Sequence, residues 1–277
     1  MKHIEFIIFD IDGTILPGNG TLPKSMLTIL NNLIKKGIKI GFATGRNYNF
    51  GGEVAEQIEG DCYLGFNNGS VIVKYPEKKV LIENSIPSQV IEDVRIHFEE
   101  RNISCLVNSV ISENEKTYIF NSPPSNAAVL DFAKNIDKDK QVINNINELN
   151  TKALACLYAS IPSKIIHSEY EFIKNKYPDL TFTLVADPIF DGFHWLGFMP
   201  SNTGKQNLLH YVSEHLDIPI KNIMAAGDDY NDQQILKEAG IGIAMGTSPD
   251  EVKESADIQI GSAEDKAMEK FLLESFF

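Results

Sequence analysis

Two aspartates one residue apart, Asp10 and Asp12 in the segment IEFIIFDIDGTIL, stand where a short apolar run ends. Residues 4–9 are rich in Ile and Phe and too few for a helix, so they predict a buried strand that delivers both acids to its end. If the chain stays extended, residues two apart point to the same side and the carboxyl groups converge; Gly13 then permits a turn. Carboxylates held that close need a shifted pKa, a shared proton or a metal ion. An isolated D-x-D pair fits two acids solvated at a strand end equally well, so the rest of the chain decides.

A second acidic group follows a small-residue strand: NIMAAGDDYNDQQIL places Asp228, Asp229, Asn231 and Asp232 together. Such acids repel one another unless they bind a cation or fan into solvent. A calcium loop of the EF-hand type is excluded, because its sixth and twelfth positions fall on Gln233 and Ala239, where Gly and Glu are required. Magnesium suits better, since it takes few carboxylates and keeps waters and a phosphate oxygen. Lys205 opens a predicted helix within a capping-box pattern, Thr203 and Gln206, where its charge opposes the helix dipole. Alone it reads as an exposed lysine; beside a metal and a phosphate it becomes a charge stabiliser.

The elements that must position these residues alternate. Pro23 to Lys36 carries apolar residues at helical spacing and stops at Gly37, and Ile38 to Ala43 is a second apolar strand ending in Thr44, Gly45 and Arg46. After residue 204 the chain predicts helix, strand 222–226, helix, strand 241–245 and further alternation, the grammar of a doubly wound parallel α/β core. Ligands in such cores bind beyond the carboxyl ends of the strands, so Asp10, Thr44 and Asp228 should meet at one rim. Residues 84–192 break the alternation and predict an inserted α+β domain, with the core formed by 1–83 and 193–277 and with Phe193, His194 and Trp195 on the return strand; one continuous large sheet is the alternative. The Pro-, Ser- and Asn-bearing stretch Asn121 to Asn126 falls within the insert.

Composition narrows the function classes. With 43% hydrophobic and 23% charged residues the chain is globular, and no apolar stretch is long enough to span a bilayer. MKHIEFIIFD lacks a cleavage site and a full apolar h-region, and Cys62, Cys105 and Cys156 stand far apart, so a cytoplasmic protein without disulfides or zinc is expected. A net charge of −13 and no basic patch argue against nucleic acid as a partner. A P-loop is excluded by Met199 and Gln206 at its required positions, and Gly240, Gly242 and Gly246 surround a strand instead of leading one into a helix, which excludes a dinucleotide fingerprint.

FDIDGT at Phe9 to Thr14, ATGR at Ala43 to Arg46, the lone Lys205 after the insert and GDDYND at Gly227 to Asp232 resemble, in order, the four motifs of the haloacid dehalogenase (HAD) superfamily of phosphohydrolases. The position and mixed character of the insert are similar to the Cof-like branch with a type IIB cap, as are FNNGS at Phe66 to Ser70 and the tail GIGIAMGTSPDEVKESAD. The resemblance implies a HAD core with a cap domain that acts as a lid and chooses the leaving group. It implies that Asp10 is the nucleophile forming an aspartyl-phosphate and that Asp12 is the acid and base. Mg²⁺ is then held by Asp10, the main-chain carbonyl of Asp12 and Asp228, supported by Asp232, while Thr44, Gly45, Lys205 and Asn231 hold phosphoryl oxygens. An acid at Asp12 disfavours a halide-displacing branch. The expected activity is a Mg²⁺-dependent phosphatase acting on a small phosphorylated metabolite, a sugar phosphate or phosphorylated cofactor, in a monomer or weak homo-oligomer with no membrane partner. A phosphomutase or phosphotransferase using the same intermediate, and a non-catalytic sensor of Mg²⁺ and a phosphorylated ligand, are the alternatives. Ile235, SNTGK and EDKAM depart from the branch pattern and bear on substrate and subfamily.

Overall fold

Apolar runs of four or five residues separated by turn signals become strands here because they bury both faces at once, which a lone helix of that length cannot do. In the computed structural model, residues 3–17, 21–113, 115–121, 126–136, 140–149, 153–187 and 190–277 are described. Strands β1 (Phe6–Phe9), β2 (Lys39–Ala43), β3 (Cys62–Phe66), β4 (Val71–Tyr75) and β5 (Lys79–Glu83) come first. They are followed by β6 (Ser104–Ser109), β7 (Thr117–Phe120), β8 (Gln141–Ile143), β9 (Leu154–Pro162), β10 (Thr181–Ala186) and β11 (Phe193–Met199), and then by β12 (Ile223–Gly227), β13 (Ile241–Ala244) and β14 (Ile258–Gln259). The helices are α1 (Lys24–Lys35), α2 (Tyr48–Glu56), α3 (Ser88–Glu99), α4 (Ala127–Ile136), α5 (Ile166–Lys176), α6 (Gln206–His215), α7 (Gln233–Glu238), α8 (Asp250–Lys253) and α9 (Ala267–Phe276). Contacts divide the chain into two compact units, Met1–Ile82 with Gly204–Phe277, and Glu83–Thr203.

The first unit is built on an eight-stranded sheet in the order β14-β13-β12-β1-β2-β3-β4-β5. The pairs from β14 through β3 are parallel, and β4 turns back antiparallel on β3. Strand β1 lies between β12 and β2 with all four residues buried. Burying a residue such as Ile8 or Phe9, at 1% and 0% exposure, contributes about 1.5–3 kcal/mol each. One face packs Phe6, Ile8, Ile223 and Ala225 against Leu208, Leu209 and Val212 of α6. Helix α1 buries Met26, Ile29, Leu30 and Leu33, the spacing of a single stripe, and ends before Gly37, whose φ of +88° suits a residue without a Cβ.

The second unit is a six-stranded sheet in the order β10-β11-β9-β6-β7-β8. Ile91, Val94 and Phe98 of α3 and Ile166 and Ile173 of α5 pack with Val107, Leu157, Leu196 and Phe198. Phe193, His194 and Trp195, predicted as the return strand to the core, instead begin β11, which pairs antiparallel with β9 and β10 in this sheet. Their alternating pattern announces a strand but not its partners, and the partners are Trp195↔Ser160 and Trp195↔Val185. The unit therefore runs to Thr203, eleven residues beyond the predicted 192. Residues 122–125 of the stretch Asn121 to Asn126 lie outside the described residues. Among the described residues no helix is long and apolar enough to cross a membrane.

Candidate active site

Parallel strands end on the same side, and that end of the first unit gathers the acids. Asp10 follows β1 and donates its N–H to the Ala226 carbonyl at 2.8 Å; Thr44 follows β2 and donates its N–H to Gly65 at 2.9 Å. Asp228 follows β12. Gly13 makes room for it: at φ +79°, a Cβ there would fall 2.2 Å from Asp228 Oδ2. Thr14 Oγ1 donates to Asp228 Oδ1 at 3.3 Å. Asp232, on a single 3₁₀ turn (Tyr230–Asp232), accepts the N–H groups of Asp228 and Asp229 at 3.1 and 3.2 Å, and Gly227 lets it pack, since a Cβ there would lie 2.3 Å from its Cγ. Lys205 reaches this group from the residue before α6, and its ammonium donates to Asp10 Oδ1 at 2.6 Å and Asp232 Oδ1 at 2.7 Å.

Three carboxylates therefore gather beside one ammonium, which bonds two of them, Asp10 and Asp232. Oxygens of Asp10, Asp228 and Asp232 lie within 4.8 Å of one another, with Asp10 and Asp232 buried. Burial pushes the Asp10 carboxyl well above its ordinary range; Lys205 pulls it down, but Asp232 and Asp228 add to the rise. Burial also raises Asp228, to about 6, with Asp232 the next cause. Burial works against the Lys205 charge as well, and the Asp10 and Asp232 carboxylates outweigh it, so the ammonium is held above the ordinary lysine value. A single cation leaves the cluster short of positive charge, and three hard oxygen donors at one spot fit a divalent ion of the magnesium type.

Asp12 is not part of this cluster. The chain turns after Asp10, with Leu16 and Ile15 both donating back to the Ile11 carbonyl, so the extended geometry that would align the two acids is lost. The Asp12 side chain, 58% exposed, is instead held in a fork by Arg46, whose Nε donates to Oδ2 at 2.8 Å. The capping box also fails: Lys205 itself occupies the N-cap without a side-chain cap bond, and Thr203 Oγ1 has no partner. Thr203 is tied through its backbone to the Thr181 hydroxyl, which pins it to β10 and not to the helix. Thr44 is 1% exposed and its Oγ1 accepts the Arg46 N–H at 3.1 Å, with Gly45 between them. Asn231 is exposed and donates Nδ2 to Asn68 Oδ1 at 2.9 Å. Sequence reasoning gives Arg46 and Asn68 no role, although they stand inside the ATGR and FNNGS segments; an arginine three residues past a strand end and paired asparagines before a glycine are the available signals.

The family model for haloacid dehalogenase-like hydrolases matches residues 7–272 of the chain. The chain is 25% identical over 280 residues to 5-amino-6-(5-phospho-D-ribitylamino)uracil phosphatase YitU of Bacillus subtilis strain 168, covering 98% of this chain and 97% of that protein. A haloacid dehalogenase-like hydrolase from Bacteroides thetaiotaomicron superposes with a TM-score of 0.83 at 19% identity, over 99% of this chain and 100% of the other. The HAD subclass IIB sugar phosphatase BT4131 superposes with a TM-score of 0.72 at 20% identity, over 98% of both chains. At such identities the solved structures speak for the fold alone.

Proposed function

Because the chain belongs to the haloacid dehalogenase-like hydrolases and is a phosphatase of that superfamily, we propose that it hydrolyses the phosphomonoester of a small metabolite, a sugar phosphate or phosphorylated cofactor, with Mg²⁺ and through an aspartyl-phosphate on Asp10. The observation that carries this reading is the buried Lys205 ammonium bridging Asp10 and Asp232 beside Asp228, a cluster with excess negative charge at a strand-end rim. Asp10 and Asp228 with the Asp12 carbonyl would hold the ion, Asp232 supporting them, and the bound ion would supply charge neutralisation for an anionic substrate.

In the first step an Asp10 oxygen attacks phosphorus while the bond from phosphorus to the leaving oxygen breaks, and Asp12 gives its proton to that oxygen. In the second, water attacks phosphorus, Asp12 takes a proton from it, and the bond to Asp10 breaks to release inorganic phosphate. The Arg46 fork fixes where the Asp12 carboxyl stands for both proton transfers. Lys205 holds the nucleophile in a fixed orientation, and Thr44, the Gly45 N–H and Asn231 present donors to the phosphoryl oxygens. Phosphate release from a panel of phosphorylated metabolites and an aryl phosphate tests the reading. Turnover by the wild type with Mg²⁺ that disappears in Asp10→Asn and in EDTA is expected; an Asp10→Asn variant that keeps its rate sinks the mechanism.

A further inference from the structure

The segment FNNGS contributes a third loop to the rim. Asn67, Asn68 and Gly69 lie in succession at φ +46°, +53° and +82°. Left-handed backbone is tolerated by Asn and Gly far better than by other residues, so three in a row mark a turn that their neighbours demand. Those neighbours are the candidate phosphate ligands' own loops. Asn67 N–H donates to the Arg46 carbonyl at 2.9 Å and Asn68 N–H to the Thr44 carbonyl at 2.8 Å. Gly69 abuts the residue before Lys205, where a Cβ would fall 2.3 Å from the Gly204 carbonyl oxygen, and its own carbonyl accepts from Asn207 Nδ2 at 3.2 Å.

From this turn the Asn68 side chain, 6% exposed, offers Oδ1 to Asn231 Nδ2 at 2.9 Å. Gly45 faces the pair without a side chain: a Cβ there would lie 3.5 Å from Asn68 Oδ1 and 3.9 Å from Asn231 Nδ2. Asn231 itself is exposed and sits on a single 3₁₀ turn, which does little to fix a side-chain rotamer. A primary amide has two N–H bonds, and engaging one leaves the other with a defined direction.

We propose that Asn68 is a positioning residue that orients Asn231, so that its second N–H is presented to a phosphoryl oxygen beside the Gly45 N–H. The inference rests on the phosphatase reading. Its gain lies in freedom already lost before the substrate arrives.

The test uses Asn68→Gly, which tolerates the left-handed backbone and removes the side chain with its amide, together with Asn231→Ala and the double variant. Each is assayed for kcat/KM, for inhibition by inorganic phosphate and for its melting temperature. A net hydrogen bond of ordinary strength predicts that Asn68→Gly lowers kcat/KM and phosphate affinity by about three- to tenfold at an unchanged melting temperature. The double variant should match Asn231→Ala alone, because Asn68 acts through it. Wild-type values in Asn68→Gly, or losses that multiply in the double variant, overturn the inference while leaving the phosphatase intact. A wild type that neither turns over nor binds inorganic phosphate overturns both.

Discussion

Replacing Lys205 by Met keeps most of its volume and removes the ammonium that bridges Asp10 and Asp232 in a buried acidic cluster. The lysine side chain is 2% exposed, and its partners Asp10 and Asp232 are 6% and 1% exposed at 2.6 and 2.7 Å. Removing one partner of such a pair leaves the other charges buried and costs about 3–5 kcal/mol. For a chain of this size that is a fall in melting temperature of about 6–20 °C. The loss must depend on pH in one direction. Without the ammonium, Asp10 binds its proton more tightly folded than unfolded, so stability declines as pH rises from about 4 to its raised folded value and is level above it. The gap between variant and wild type should therefore be wider at pH 8 than at pH 5, and Mg²⁺ should narrow it at pH 8 by restoring positive charge. Thermal melting at both pH values, with EDTA and with Mg²⁺, reads all of this. A loss below about 1 kcal/mol, or one equal at both pH values, would refute the charge-shortage reasoning.

Asp228, raised to about 6, must lose its proton to bind a cation, so calorimetric Mg²⁺ affinity should fall as pH drops through about 6, by up to tenfold per unit. The same shift makes the metal-free protein less stable as pH rises between about 4 and 6, by roughly 3 kcal/mol before solvent screening and about half that after it; melting in EDTA that rises over this window contradicts it. Gly13→Ala would drive a Cβ into Asp228 at a positive φ and should cost about 1–3 kcal/mol and weaken Mg²⁺ binding, measured by melting and titration. Arg46→Lys keeps the charge but loses the fork on Asp12; kcat should fall about tenfold with melting nearly unchanged, and an unaltered kcat speaks against a role for the pair.

Strands and helices of the first unit were legible because each carries its own period: β1 and β2 as apolar runs, α1 as a stripe from Met26 to Leu33. The rim was legible because parallel strands place their ends together, which brought Asp10, Thr44 and Asp228 to one side. What failed was whatever depends on a distant partner. β11 shows its alternation locally, yet its sheet is chosen by Ser160 and Val185. Asp12 lies two residues from Asp10, and only the turn at Ile11 and the guanidinium of Arg46 decide that the two carboxylates part. The capping pattern at Thr203 was outbid by a backbone tie to Thr181. The left-handed run at Asn67 to Gly69 was written in its residue types, but the loops that require it are far away in the chain.

The central place of β1, between β2 and β12, has a consequence for synthesis. On the ribosome the first strand can pair with β2 once residue 43 is out, but its other edge stays open until residues 223–227 emerge. Until then Asp10 lacks the Ala226 carbonyl that anchors its backbone and both later acids. At 5–20 residues per second that interval lasts roughly ten seconds or more, with an apolar edge exposed throughout. A nascent chain of this topology leaves the acidic rim unassembled for most of translation, and a prematurely released fragment keeps an open apolar edge that makes it a candidate for chaperone capture.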